Sequence, residues 1–264
     1  MYDNSKLTDM DGNDMGGRRV KTADTVFGII EHIHENKGAT LTELSEDLDL
    51  AKSTVHSHLS TLIDKELVVQ KNQQYKLGLK FLKLGIETKN ELDVLTAARP
   101  ALEELADETD EVAWLVVEEY GKAVYVEKVL GNRAVQTHGT TGKRSRLHHI
   151  AAGKAILAFL PEVRIHEIIE GYGLPATTDQ TITDRETLLN ELAEIREREV
   201  AFNNGEVMDG LRAVASPIIT DGLVRGSIVV AGPAKRLEGS RFKSHLPELV
   251  SGAANEIELR LAQI

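Results

Sequence analysis

Residues 40–62, TLTELSEDLDLAKSTVHSHLSTL, constrain this chain more than any other stretch. Leu41, Leu44 and Leu48 recur at helical spacing, and Thr40 or Thr42 stands where a cap is needed. Leu50 packs in a tight turn. Ser53 or Lys52 then opens a second helix with Val55, Leu59 and Leu62 on its inner side, running to about Lys65. Its other side carries Lys52, Ser53, Thr54, His56, Ser57 and His58. A short helix pair with one apolar and one polar face is the pattern of a helix-turn-helix, whose second helix enters a DNA groove. A merely solvated helix face gives the same polar run, and residues alone leave the two readings about even.

The flanks extend the pattern. Val26, Ile29, Ile30 and Ile33 predict a helix over 22–35, ended by Asn36-Lys37-Gly38 with Gly38 in the left-handed position. Leu67–Val69 and Tyr75–Gly78 read as short strands around a polar tip, Gln70–Gln74. Three helices and a β-hairpin make a winged helix-turn-helix, here placed over 18–78. Residues 79–98 look helical, and Arg99-Pro100 is expected to break them, because the residue before proline avoids the α region. That makes 79–100 a helical linker. A further helix covers 101–110.

Beyond it, β-rich runs appear at 112–117 and 123–129, joined by a turn with Gly121, and 134–137 offers a third strand. Helices are expected at 152–160, 162–170 and 184–199, the last capped by Thr183 or Asp184. Strands return at 213–219 and 223–231 around Asp221-Gly222, a strong hairpin signal, and a helix covers 240–262. Strands, helices, then strands again predict an α+β domain with an antiparallel sheet over 101–264.

Composition narrows the function. The 264 residues have no cysteine, which excludes disulfides, zinc fingers and thiol chemistry. No apolar run approaches the ~18 residues that span a bilayer. Residues 1–17 lack an apolar signal core and are polar and acidic, so a disordered leader and a cytoplasmic protein are expected. The net charge of −11 speaks against a nucleic-acid binder until it is divided. Residues 18–90 hold 11 basic and 10 acidic side chains, a balance of +1, whereas 91–264 hold 19 and 28, a balance of −9. An acidic surface of this kind suits a salt-loving organism.

Catalytic motifs are missing. Gly142-Lys143 and Gly153-Lys154 lack the upstream glycine and following hydroxyl of a phosphate loop. Adjacent His148 and His149 have no partner at metal-binding spacing. No catalytic residue, metal or cofactor is expected.

At this point the sequence resembles the IclR family of transcriptional regulators over 20–262. The resemblance rests on LTELSEDLDLAKSTVHSHLSTLIDKELV with YKLGLKFLKLG, on LHHIAAGKAILAFLP at 147–161, and on GLRAVASPIITDGLVRGSIVVAGPAKRL at 210–237. It implies an N-terminal winged helix-turn-helix, a helical linker and a C-terminal GAF-like, effector-binding α+β domain. It also implies a homodimer or dimer of dimers acting on catabolic genes through a near-palindromic double-stranded DNA operator. The expected DNA contacts are Thr40, Lys52, Ser53, Thr54, His56, Ser57 and His58, with Lys71, Asn72, Gln73 and Gln74 on the wing. Arg18, Arg19 and Lys21 either reach phosphates or only solubilise the arm. Family members commonly carry arginine near Ser57. Its absence here removes bidentate guanine reading. His56 and His58 bring charge at mildly acidic pH, so DNA binding is expected to tighten there.

By the same resemblance, Leu147, His148, Ala151, Ala152, Asn203, Ala213, Val229 and Ala231 line an effector pocket. The start of the helix expected at 152–160, led into by residues 146–154, would offer free N–H groups to an anion, which predicts a small organic acid or related metabolite. The small residues also fit plain close packing. Asn203, Val229 and Ala231 replace more polar residues of some members, which predicts a less oxygenated, bulkier or aromatic ligand. Glu206 and Asp209 are expected at the pocket mouth. The rival readings are a ligand sensor, or an enzyme whose winged helix docks a protein.

Overall fold

The computed structural model describes residues 20–135 and 139–263; the expected leader, Arg18, Arg19 and part of the strand expected at 134–137 lie outside them. Ala134 and Val135 themselves are not in a strand. The chain forms two compact units that meet between Glu91 and Leu92.

In the first unit, α1 (Lys21–Glu35), α2 (Leu41–Asp47) and α3 (Lys52–Asp64) pack on a three-stranded sheet. Strand β1 (Ala39–Thr40) pairs with β3 (Gln74–Leu77), which pairs with β2 (Val68–Lys71), both antiparallel. Ile29, Ile33, Leu44, Val55, Leu59, Leu62, Val68 and Tyr75 form the core. All three helices end in the same way. Lys37, Asp49 and Glu66 take positive φ (57°, 50° and 62°). The next N–H bonds back into the helix, Gly38 to Ile33 O at 2.9 Å, Leu50 to Ser45 O at 3.0 Å and Leu67 to Leu62 O at 2.9 Å. The left-handed position after α1 is thus Lys37, not Gly38. Gly38 is needed one residue later, at φ 133°, where a Cβ would stand 3.3 Å from the Tyr75 carbonyl oxygen.

The wing tip is tighter than expected. Gln70 and Lys71 pair with Tyr75 and Gln74, leaving only Asn72-Gln73 in the turn. Their φ values of 50° and 66° make it the two-residue type that matches strand twist. Helix α4 (Lys80–Asn90) closes the unit and has no buried residue.

The second unit opens with α5 (Asp93–Thr109), a single helix that runs through Pro100. The expected break at Arg99-Pro100 is therefore absent; the chain turns at Leu92, whose backbone is extended. Proline costs a helix about 3 kcal/mol. Burial of Val94, Leu95, Ala98, Ala101, Leu102 and Leu105 along one face outweighs that cost.

Six antiparallel strands follow in the order β6-β5-β4-β9-β8-β7: β4 (Val112–Glu119), β5 (Lys122–Leu130), β6 (Arg144–Arg146), β7 (Ala201–Asn204), β8 (Leu211–Thr220) and β9 (Leu223–Pro233). The hairpin turns Tyr120-Gly121 and Asp221-Gly222 have positive φ at both residues. Alternation sorts the strands' side chains. Ala113 and Leu115 face α5 and α9 (Leu246–Leu261). Val112, Trp114 and Val116 face α6 (Ala151–Ala158), α7 (Glu162–Tyr172) and α8 (Arg185–Arg198). Asp184, rather than Thr183, caps α8 by accepting from Thr187 N at 2.8 Å. The helix expected at 240–262 starts as a π-helical turn, Arg241–His245, before α9. The result is a sheet covered by helices on both faces, with the expected antiparallel α+β architecture.

Candidate functional site

Helix α3 presents Lys52, Ser53, Thr54, His56 and Ser57 to solvent, while His58 is half-buried beside the inner face. The exposed hydroxyls are partly engaged along the helix: Ser57 Oγ donates to Ser53 O at 2.9 Å, and Ser60 Oγ donates to His56 O at 2.9 Å. Each keeps its lone pairs for a donor outside. Ser60 and Thr61 lie on the same exposed face as Ser53 and Ser57. The three- and four-residue spacing from Ser53 was enough to find them. Thr40 differs from the other expected contacts. Its Oγ1 accepts from Glu43 N at 3.3 Å, and the Glu43 carboxylate accepts from Thr40 N at 2.7 Å. The side chain thereby caps α2 in a reciprocal box. The paired hydrogen bonds hold the Glu43 carboxyl below the usual glutamate range. Lys71, Asn72, Gln73 and Gln74 are all exposed at the end of the wing.

In the second unit, Asn203, Ala213 and Ala231 lie side by side across β7, β8 and β9. Val229 sits in the adjacent row, opposite Ala215 and Trp114. Ala213, Val229 and Ala231 belong to the face that α6 covers. Leu147, His148, Ala151 and Ala152 are buried at the start of that helix. All eight residues of α6 are buried, and no side chain caps its N-terminus at Ile150. A buried helix start without a cap leaves N–H groups that need a partner. Gly153 allows the close approach there: a Cβ would lie 2.2 Å from Leu147 O. A space of ≈ 10 Å³, about the room one water needs, lies against Leu147 and His148, but its other walls include Gly121, Ile168, Ile169 and Tyr172, so Ala151, Ala152, Asn203, Ala213, Val229 and Ala231 do not line it.

Polar groups ring this helix start. Asn203 Nδ2 donates to His149 O at 2.6 Å, and Asn203 Oδ1 accepts from Glu206 N at 3.2 Å. His148 Nε2 lies 3.2 Å from Pro175 O; His149 Nδ1 lies 3.0 Å from Thr177 Oγ1 and its Nε2 lies 2.9 Å from Ser145 Oγ. Both imidazoles are thereby held in place. Burial lowers the His148 pKa and pushes His149 down to about 4. The segment they hold is pinned on its other side, where Thr178 Oγ1 donates to Gly205 O and Thr181 Oγ1 to Glu206 O, each at 2.7 Å.

Glu206 is not at a pocket mouth. It is 7% exposed, and its Oε1 accepts from Lys154 Nζ at 2.7 Å. Lys154 is 2% exposed, with Glu191 Oε1 at 3.6 Å. The sequence reading missed this buried pair, because a lysine in GKAILA looks like the one solvated position of an apolar helix. Burial raises the Glu206 pKa, and Lys154 opposes the rise. Among the described residues no group of metal-ligating side chains forms a metal site, and no helix is long and apolar enough to cross a membrane.

Comparison with known proteins agrees with this arrangement. Residues 22–72 match the IclR helix-turn-helix domain, and residues 87–259 match the C-terminal domain of bacterial IclR transcriptional regulators. A probable HTH-type transcriptional regulator, ArcR of Halobacterium salinarum, is 34% identical over 250 residues, covering 92% of this chain and 95% of that protein. The crystal structure of the Thermotoga maritima IclR superposes with a TM-score of 0.78 at 26% identity, over 92% of this chain and 99% of that one. An IclR homologue from Microbacterium hydrocarbonoxydans, crystallised with 4-hydroxybenzoate, shares the fold, with a TM-score of 0.80 at 20% identity over 92% and 100% of the two chains. With a helix-turn-helix in one unit and the family's C-terminal fold in the other, the chain belongs to the IclR family of transcriptional regulators.

Proposed function

We propose that this regulator binds a near-palindromic operator as a homodimer and responds to a small organic acid. The exposed run Lys52, Ser53, Thr54, His56 and Ser57 at the start of α3 carries the DNA reading. First-turn residues of the second helix are the ones that reach base edges. Lys71, Asn72, Gln73 and Gln74 on the wing track the backbone, His58 sits half-buried at the edge of the contact face, and Thr40 acts from behind by capping α2. Affinity is modest for one copy, because the first unit is nearly neutral and has no arginine on the groove face.

A second copy also has a place to sit. Leu82, Leu84 and Ile86 on α4 are 59%, 46% and 48% exposed, and Phe27 on α1 is 62% exposed. Leu82 and Ile86 lie one turn apart on the same side of α4 and leave apolar surface for a second copy to cover. The segment 79–100 then links the winged helix over 18–78 to the effector domain that follows.

The uncapped, buried start of α6 is the observation that carries the effector reading. An anion there would meet free N–H groups and the positive end of the helix. Leu147, His148, Ala151, Ala152, Asn203, Ala213, Val229 and Ala231 are the residues that would line it. The 4-hydroxybenzoate held by the Microbacterium homologue is an acid of the expected size and aromatic character. Gel shifts on the DNA upstream of the gene, with and without sugar acids and aromatic acids, test the reading. A retarded band whose mobility or midpoint changes with one acid is expected. No band at any salt concentration sinks the regulator reading, and a band that ignores every acid sinks the effector reading.

A further inference from the structure

We propose that Glu206 makes the effector site select acids that also carry a hydrogen-bond donor, that is, hydroxy acids over keto acids and plain acids of the same size. The inference rests on the start of α6 being the effector site, and moves Glu206 from the pocket mouth, where the sequence reading expected it, to the buried interior.

Every polar atom of Glu206 but one has a fixed partner. Its N–H donates to Asn203 Oδ1 at 3.2 Å, its carbonyl accepts from Thr181 Oγ1 at 2.7 Å, and Oε1 accepts from Lys154 Nζ at 2.7 Å. Oε2 is buried and makes no hydrogen bond of ordinary geometry among the described residues, although the Asn204 backbone N–H also acts on the carboxylate and works against the rise in its pKa. Buried carboxylate oxygens without a donor are rare in folded proteins, and such an atom marks where a missing donor belongs. The donor does not come from Lys154, which already spends its short contact on Oε1 and lies on α6 one turn from Ala151. The same Asn203 that accepts from Glu206 N also donates to His149 O at 2.6 Å, next to the uncapped helix start. One amide therefore ties the Glu206 backbone to the anion-seeking end of α6. A ligand with its carboxylate on the helix start and a hydroxyl nearby satisfies both the helix start and Oε2.

The apolar floor of Ala213, Val229 and Ala231 offers no competing polar group to a ligand's second substituent. A carbonyl in place of the hydroxyl would oppose one acceptor to another. A methylene would leave Oε2 without a donor.

The test is calorimetric titration of the full chain with lactate, pyruvate and propionate, and with 4-hydroxybenzoate and benzoate. Lactate should bind about tenfold or more tightly than pyruvate and propionate, or 4-hydroxybenzoate than benzoate, according to which hydroxyl spans the distance from the helix start to Oε2, on the scale of one hydrogen bond to a charged acceptor. Glu206→Gln keeps a carbonyl for Lys154 but turns the free position into a donor, so the preference should move from lactate to pyruvate. If that variant does not fold, the wild-type series decides alone. Equal affinity within both sets, or a preference that survives in folded Glu206→Gln, overturns the role of Glu206 and leaves the effector site standing. No binding by any of the five acids at millimolar concentration overturns both.

Discussion

Replacing Lys154 by methionine is the perturbation whose size the structure sets most directly. The ammonium is 2% exposed and lies 2.7 Å from a carboxylate that is itself 7% exposed, so solvent screens neither. Methionine keeps the length of the stem and removes the charge. Glu206 then has two buried oxygens without a donor where it had one. Removing one partner of a buried ion pair typically costs about 3–5 kcal/mol. For a unit of this size that is a fall in Tm of roughly 10 °C.

The cost depends on pH with a definite sign. Burial already raises the Glu206 pKa above its ordinary value, with Lys154 opposing. Without Lys154 the rise is larger. A carboxyl whose pKa is higher in the folded state favours folding at low pH and loses that contribution as pH rises through the folded value. The gap between wild type and variant should therefore be small below about pH 4 and widen toward neutrality. The single tryptophan, Trp114, lies on the sheet face that α6 covers and reports the unfolding of this unit in urea. A variant within about 0.5 kcal/mol of wild type at neutral pH, or a loss that does not change with pH, would refute the reasoning.

Other expectations are simpler. Thr40→Ala removes the α2 cap and should lower the stability of the first unit by about 1 kcal/mol in urea unfolding, whereas Thr42→Ala, on an exposed neighbour, should cost much less. Folded stability should fall as pH drops from about 6.5 through about 4, because His149 resists protonation in the folded state while the unfolded chain accepts it; His149→Gln should flatten that part of the profile. Lys71→Ala should weaken operator and non-operator DNA alike and reduce the slope of log K against log salt by about 1, whereas Lys52→Ala should weaken operator DNA more than non-operator DNA.

The sequence carried the winged helix well because its signals are local. Leu44, Val55, Leu59 and Leu62 repeat at helical period, and most polar residues between them face water, Ser45 and His58 being half-buried. The two tight hairpins with Gly121 and Gly222 were equally plain, since few residues take positive φ twice in succession. Pro100 misled because its local penalty is real, yet eight apolar neighbours on α5 bury themselves around it. Strand β7, only Ala201–Asn204, is too short to show a period and exists because β8 pairs with it. Asn203, Ala213 and Ala231 were placed in one site by family resemblance, and the sheet register puts them in one row. Lys154 and Glu206 were not legible, because a buried ion pair between residues 52 positions apart leaves no mark on either local sequence.

The central claim is that α3 reads DNA from a two-fold assembly. Footprinting of the full chain on the DNA upstream of its gene tests it. The account predicts two protected half-sites centred about 10 base pairs, or a multiple of that, apart. It also predicts that replacing Lys52 and Thr54 together by alanine abolishes them in a chain that still folds. Protection of a single unpaired site, or protection that survives that double replacement, would contradict it.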